Sequence, residues 1–320
     1  MSRPPLAVVV PTRNRPELLT ACLAALQAEL GPRDDLVVVD SASDSAASVA
    51  RVAAEGGARL LRCERKGASR ARNAGWRATD RALVVFVDDD MLVSAGWATA
   101  MASAAAAPEV AFVAGRTIAS EGAQGQAASV TWGRPEEIID RRTRGAFAAS
   151  NNLLVRRSVL LRTGGFDERL GPGTWLEAGE DLELLDRVLA SGFEGRYAHA
   201  AVASHEQWRD AAAMRRLQLA YGKGMGARFA SMVRREPGRA WQQAPELLRL
   251  GGLVTVLRRL RRKGASPEQA SSPAVGQKDL SGVAGPLLWR FGAVVGLLVG
   301  LWVLRPRPTA SSGAQVSVDD

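Results

Sequence analysis

Four short apolar runs alternate with helical segments over the first 90 residues, and this alternation restricts the chain to a layered α/β architecture with parallel strands. "LAVVVP" (6–11), "DLVVVD" (35–40), "ARLLRC" (58–63) and "ALVVFV" (82–87) lack a regular polar alternation, as expected of strands covered on both faces. Between the first two, "RPELLTACLAALQAEL" sets Leu18, Leu19, Cys22, Leu23 and Leu26 at helical spacing. The opening is therefore a β-α-β unit, repeated.

In open parallel sheets ligands gather at the carboxyl ends of the strands. Those ends read "PTRNR", "DSASD" and "DDD" here, compositions that equally suit turns and helix caps. The triplet Asp88, Asp89 and Asp90 differs in its cost, because neighbouring carboxylates repel unless a positive partner sits among them. Hard oxygen ligands suit Mg²⁺ or Mn²⁺, which commonly bridge one or two carboxylates to phosphate oxygens. A solvated strand-end turn is the other reading of this stretch taken alone.

The 320 residues suffice for one large catalytic domain with an appendage, and 47% hydrophobic content argues against general disorder. The net charge of +9 is uneven: residues 215–263 carry thirteen Lys or Arg against Glu236 and Glu246. Such a stretch suits nucleic acid, anionic lipid or a phosphorylated substrate, and charge does not choose among them. Cys22 and Cys63 have no metal-ligand spacing, which points to buried thiols in a reducing compartment. The first apolar run is too short for a signal sequence and ends at Pro11, so the main domain is expected in the cytosol. No Walker A motif is present and no G-x-G-x-x-G follows the first strand; "GKGMGARFA" (222–230) reads as a flexible or close-packing segment.

From residue 146 the pattern is a strand, a short helix, a Gly-rich loop and a helix opening near Glu180. Glu180 and Asp181 there also suit a plain helix N-terminus, which favours carboxylates.

Taken in order, "VVVPTRNRPELL", "VVVDSASDS", "GASRARNAG", "FVDDD", "NNLLVRR", "GGFDERL" and "GEDLELLDRVLASG" resemble the family-2 glycosyltransferases of the GT-A fold, over residues 5–205. The resemblance implies a Rossmann-like, mostly parallel sheet with flanking helices. It implies sugar transfer from a UDP-, GDP- or dTDP-linked donor to a hydroxyl acceptor, with inversion and a Mn²⁺ or Mg²⁺ cofactor. Pro11, Thr12, Asn14 and Asp40 match the family's nucleobase-side positions, with a departure at Ser41 that leaves the base open. Arg72 matches an arginine that approaches the pyrophosphate; Asp88 and Asp89 fall on the donor side, and Asp88 and Asp90 form the D-x-D pair, with Asp90 the surer metal ligand. His205, placed 24 residues after Asp181, matches a histidine that completes the metal shell. Asp181 matches the catalytic base, while Glu180 and Trp175 fall on the acceptor side.

Residues 287–304, "LLWRFGAVVGLLVGLWVL", form an apolar stretch broken by Arg290, marginal against the roughly 20 residues a span needs. Gly292, Gly296 and Gly300 recur every four residues, a spacing that lets membrane helices approach closely. A buried soluble helix is the alternative. Upstream, "PELLRLGGLVTVLRRLRRK" combines apolar and basic faces suited to an anionic leaflet or to covering the catalytic domain. The expected organisation is a catalytic domain at 1–210, a basic helical region at 211–263, a linker at 264–280, a membrane helix at 281–305 and a disordered end at 306–320. The acceptor is then a lipid-linked or envelope glycan, or a secondary metabolite, met at the inner leaflet, with no nucleic-acid partner. No Q-x-x-R-W motif occurs, so few-step transfer is expected over processive synthesis. The rival reading is a non-catalytic, membrane-associated binding protein on the same scaffold, since fold does not guarantee chemistry. A nucleotidyltransferase, which also pairs carboxylates with Mg²⁺, lacks a Gly-rich basic signature after the first strand.

Overall fold

Strand β1 (Leu6–Thr12) is buried at every position and sits between β2 (Asp35–Ser41) and β4 (Leu83–Val87), parallel to both, with β3 (Arg59–Cys63) outside β2. The computed structural model describes residues 3–120, 137–143, 146–206, 209, 211–250 and 284–304. The intervening helices are α1 (Pro16–Glu29), α2 (Ala46–Glu55) and α3 (Ala68–Arg77). Alternate side chains of β1 enter opposite layers: Leu6, Val8 and Val10 join a core with α1 and α2, while Ala7 and Val9 join another that contains Trp76 of α3. At Gly75 an added Cβ would collide with Val9, so glycine lets α3 settle close onto the sheet beneath the strand ends.

The remaining elements are β5 (Met91–Val93), α4 (Trp97–Ala104), β6 (Val110–Ala119), β7 (Glu137–Ile139), β8 (Asn152–Arg156), α5 (Arg157–Thr163), α6 (Glu180–Ala190) and β9 (Glu194–His205). Among the described residues the strands form one sheet in the order β3-β2-β1-β4-β8-β6-β9-β5, with β7 also on β9. Strand β8 enters antiparallel between β4 and β6, so the sheet is mixed beyond its nucleotide-side half. The first 90 residues thus fold as their pattern requires.

The basic region behaves differently from its composition. Helices α7 (Ala211–Arg235) and α8 (Pro237–Leu250) direct three of their arginines inward onto the acidic residues of α6, while Arg216 and Arg234 remain exposed. Arg228 pairs with Asp186 at 2.6 Å, Arg235 with Glu183 at 2.7 Å and Arg239 with Asp186 at 3.2 Å. Part of the apparent polybasic surface is therefore internal counter-charge.

Helix α9 (Ala284–Val303) covers the apolar stretch expected to form a membrane helix, and among the described residues no helix is long and apolar enough to cross a membrane. Helix α9 lies along α7. Gly222 of α7 abuts Trp289 and Ala293, Gly226 abuts Ala293 and Leu297, and Gly300 abuts Ala227 and Ala230, contacts that advance together because the two helices run parallel. A Cβ at Gly222, Gly226 or Gly296 would strike backbone of the opposing helix. The four-residue glycine spacing thus serves close pairing with α7, and "GKGMGARFA" is the facing half of the same seam. Helix α9 also reaches the catalytic body, where Leu304 packs with Leu170, Leu176 and Ala227, and Arg169 donates to the Val303 carbonyl at 2.9 Å. Residues 251–263, the expected linker at 264–280 and the expected disordered end at 306–320 lie outside the described residues.

Candidate active site

The carboxyl ends of β1, β2 and β4 lie side by side, and their loops are tied together. Asn14, held at a positive φ of 58°, donates its side-chain amide to Asp44 at 2.8 Å and accepts the Asp44 backbone N–H at 2.8 Å. Its own N–H donates to the Ser43 hydroxyl at 3.0 Å, which completes a clasp between the first two loops. Pro11 and Thr12 are the last, buried residues of β1. Asp40 is also buried; it accepts the Ser43 N–H at 2.9 Å and forms an ion pair with Arg62 of β3. Ser41 accepts the Gly67 N–H at 2.9 Å and so ties β2 to the start of α3.

The three aspartates after β4 take three different directions. Asp88 is partly exposed and accepts a 2.7 Å hydrogen bond from Arg72. Asp89 is turned fully inward, with the Thr12 hydroxyl donating to one oxygen at 2.7 Å and Arg15 facing the other at 2.9 Å. Burial, with the charge of Asp90 adding to it, raises the Asp89 pKa to about 7 against the opposing pull of Arg15. Its expected place facing the donor is therefore corrected: Asp89 braces the loop from beneath. Asp90 Oδ2 lies 3.2 Å from Arg15 Nη1 and 3.5 Å from His205 Nε2.

The position of His205 follows from strand pairing. Strands β5 and β9 are antiparallel with Met91 opposite His205, and the Glu206 N–H donates to the Asp90 carbonyl at 2.8 Å. The strand that follows the aspartate triplet therefore brings the histidine beside it. Among the described residues no group of three or more His, Cys, Asp or Glu side chains is placed to hold a metal ion. Asp90 and His205 are a facing oxygen and nitrogen pair, and the buried Nδ1 of His205 has no hydrogen-bond partner among the described residues. Two protein ligands fit a Mg²⁺ or Mn²⁺ ion that takes its remaining oxygens from phosphate and water.

On the opposite wall, Gly179 at φ 87° turns the chain into α6, and Glu180 and Asp181 follow without a side-chain N-cap. Asp181 accepts the Leu182 N–H at 2.7 Å and the Ser150 N–H at 3.4 Å. Burial raises the pKa of Asp181; burial and then the Asp181 charge raise that of Glu180 to about 7, with Arg72 opposing both. Arg72 joins the two walls: its guanidinium, buried over the Phe166 ring, reaches Asp88 on the donor side and Glu180 at 3.0 Å on the other. The two terminal nitrogens of Arg72 are thus each engaged by a carboxylate at the place where the resemblance puts a pyrophosphate. Trp175 is 57% exposed on the loop before α6, with Lys223 of α7 over its ring at 5.2 Å.

Three site residues escaped the sequence reading. Arg15 and Arg62 neutralise buried aspartates. Tyr221 of α7 lies close enough to Asp181, Glu180 and Asp90 for their charges to reinforce the upward shift that burial gives its hydroxyl. Only two tyrosines occur in the chain, and this scarcity was the one available signal for Tyr221.

Residues 7–162 match the model for glycosyl transferase family 2. They form a family-2 glycosyltransferase domain. The family-2 match runs from β1 into α5 and stops before Asp181 and His205. A pre-mycofactocin glycosyltransferase from Mycobacterium tuberculosis is 28% identical over 148 residues, 44% of this chain and 30% of that protein. The glycosyltransferase AglE from Haloferax volcanii is 27% identical over 231 residues, 69% of this chain and 73% of that protein. The chain therefore spans less than a third of the mycobacterial relative's length. Among solved structures, a mannosyltransferase from Pyrobaculum calidifontis in complex with GDP-Man and Mn²⁺ superposes with a TM-score of 0.60 at 19% identity, covering 95% of this chain and 87% of that one. S. aureus TarS in complex with UDP-GlcNAc gives 0.59 at 16% identity, covering 76% and 71%. The family-2 domain and its mixed sheet have the GT-A fold.

Proposed function

We propose that the protein is a metal-assisted, inverting glycosyltransferase that moves a sugar from a nucleotide-sugar donor to a hydroxyl acceptor. The observation that carries this reading is the convergence of Asp90, His205, Asp88 and Asp181 at the carboxyl edge of the sheet, with Arg72 joining the donor and acceptor walls. The nucleotide would lie over the clasped loops of Asn14 and Asp44, with Asp40 beneath. Asp90 and His205 would hold Mg²⁺ or Mn²⁺, which supplies Lewis-acid stabilisation of the departing diphosphate. Arg72 offers a fork of donors to the same phosphates. Asp181 takes the proton of the acceptor hydroxyl as it attacks the anomeric carbon opposite the leaving group. Its raised pKa makes it a better base than an ordinary carboxylate near neutral pH. Glu180 orients the acceptor, and Trp175 offers a sugar face a stacking surface. Relatives of the same fold solved with GDP-Man or UDP-GlcNAc support a nucleotide-sugar donor.

A screen of UDP-, GDP- and dTDP-sugars with Mn²⁺ or Mg²⁺ tests the reading. Turnover of one donor, lost on chelation and restored by metal, is the expected result; no donor bound or consumed with either metal sinks it.

The same proposal places the catalytic domain in the cytoplasm against an anionic membrane surface, where a lipid-linked acceptor would be met. Val294, Leu298 and Trp302 support it: they form a one-sided exposed stripe on α9, 57%, 62% and 82% accessible, on the face away from α7. In sequence that helix is preceded by "RRLRRK" (258–263) and followed by Arg305 and Arg307. Vesicle flotation should show binding to phosphatidylglycerol liposomes that falls at least about tenfold in a Leu298→Asp/Trp302→Asp double variant, a conservative share of the roughly 3–6 kcal/mol that fully withdrawing two apolar side chains costs. Equal flotation of the variant rules the stripe out as the contact.

A further inference from the structure

Arg15 touches both inner aspartates of the triplet. Its backbone stands just before Pro16, which opens α1, and its guanidinium spans Asp89 Oδ1 at 2.9 Å and Asp90 Oδ2 at 3.2 Å. The same Asp90 oxygen faces His205 Nε2 at 3.5 Å. Arg15 and His205 thus meet one carboxylate oxygen, the one that pairs with His205 as a metal-ligand couple. A divalent cation between Asp90 and His205 would lie within a few ångströms of the guanidinium, in a setting where Asp89 and Asp90 are almost wholly buried and screening is weak.

We infer that Arg15 is the resting counterion of the metal site: it holds the Asp90 oxygen toward His205 before the metal arrives, and it must leave that oxygen when the metal binds. The inference rests on the metal-assisted reading above. Arg15 is a positioning residue under this assignment, and at 28% side-chain exposure it has room to withdraw. A diphosphate beside the metal would receive the withdrawn guanidinium, since phosphate oxygens accept its planar fork as well as a carboxylate does. Metal and nucleotide would then bind with mutual reinforcement, each favouring the withdrawn arginine. Without nucleotide, Arg15 opposes the metal.

The sign of the effect separates this role from a merely structural one, because loss of a brace would weaken metal binding. Mn²⁺ affinity is measured by electron paramagnetic resonance on full-length wild type, Arg15→Gln and Asp90→Asn, each with and without UDP or GDP. Arg15→Gln should bind Mn²⁺ alone at least about tenfold more tightly than wild type, a modest share of the like-charge repulsion expected at this depth. The gain that nucleotide brings in wild type should shrink in the variant. Detectable binding only in Arg15→Gln would also support the inference. If wild type binds Mn²⁺ through Asp90 and Arg15→Gln binds equally or more weakly, the counterion role is overturned and the metal-assisted reading stands. If no protein binds Mn²⁺ with or without nucleotide, both fall. Arg15→Met keeps the aliphatic stem and serves as the same test should the glutamine variant not fold.

Discussion

Asp181→Asn should lower turnover by about 10³-fold while leaving donor and metal binding within about threefold of wild type, in the range expected when a positioned general base is lost. The substitution keeps the size of the side chain and an oxygen for the Leu182 amide at 2.7 Å, and gives up only the long 3.4 Å contact of the other oxygen with the Ser150 amide, so the start of α6 keeps its closer tie. Asp181 lies beside Glu180 and across Arg72 from the aspartate triplet, so loss of donor affinity would indicate that the two walls are not functionally separate. Single-turnover kinetics with the identified donor, alongside nucleotide titration, checks the result. Unchanged turnover would remove Asp181 as the base.

Arg72→Ala should be the most destabilising single change in the site, by roughly 3–5 kcal/mol at neutral pH, because it removes the partner of a buried carboxylate and leaves that carboxylate in place. Glu180 is buried and its pKa already stands at about 7 with Arg72 opposing the rise. Without the arginine it moves higher still. A carboxyl whose folded pKa lies above its unfolded value binds protons in the folded state that the unfolded chain has lost, so its contribution to stability falls as pH rises from the ordinary carboxylate range. The loss caused by Arg72→Ala should therefore be level between about pH 5 and pH 6, where Glu180 is protonated in both folded proteins, and grow from about pH 7 toward pH 9, above the folded pKa that Arg72 holds down. Chemical denaturation of both proteins across that interval measures it. A destabilisation independent of pH would mean that Arg72 acts through packing on Phe166 and not through its charge.

The nucleotide-side half of the fold was legible because its strands are buried on both faces and therefore appear as uninterrupted apolar runs. Strands β5 and β7, three residues each, carry too little pattern to be seen, yet β5 sets His205 beside Asp90. The aspartates and the "GED" segment were legible as chemistry, but their division of labour was not. Only the folded chain turns Asp89 inward onto Thr12 and Arg15 while Asp88 meets Arg72. The arginines were unreadable for the same reason: Arg62, Arg228, Arg235 and Arg239 pair with carboxylates far away in sequence, and a composition count cannot separate such internal partners from a basic surface. The four-residue spacing of Gly292, Gly296 and Gly300 makes a close helix approach legible but not its setting, since backbone proximity needs the same small residues in lipid and in a buried soluble pair.

The docking of α9 bears on how a shortened version of this protein would behave. A fragment ending at Leu250 would retain every residue named in the catalytic scheme, yet Leu170 and Leu176 would lose the cover of Leu304, and Arg169 its bond to Val303. Those residues belong to the loop that carries Trp175 into α6, so the C-terminal helix backs that loop, and under the proposed acceptor role of Trp175 such a fragment should keep donor binding and lose acceptor discrimination first.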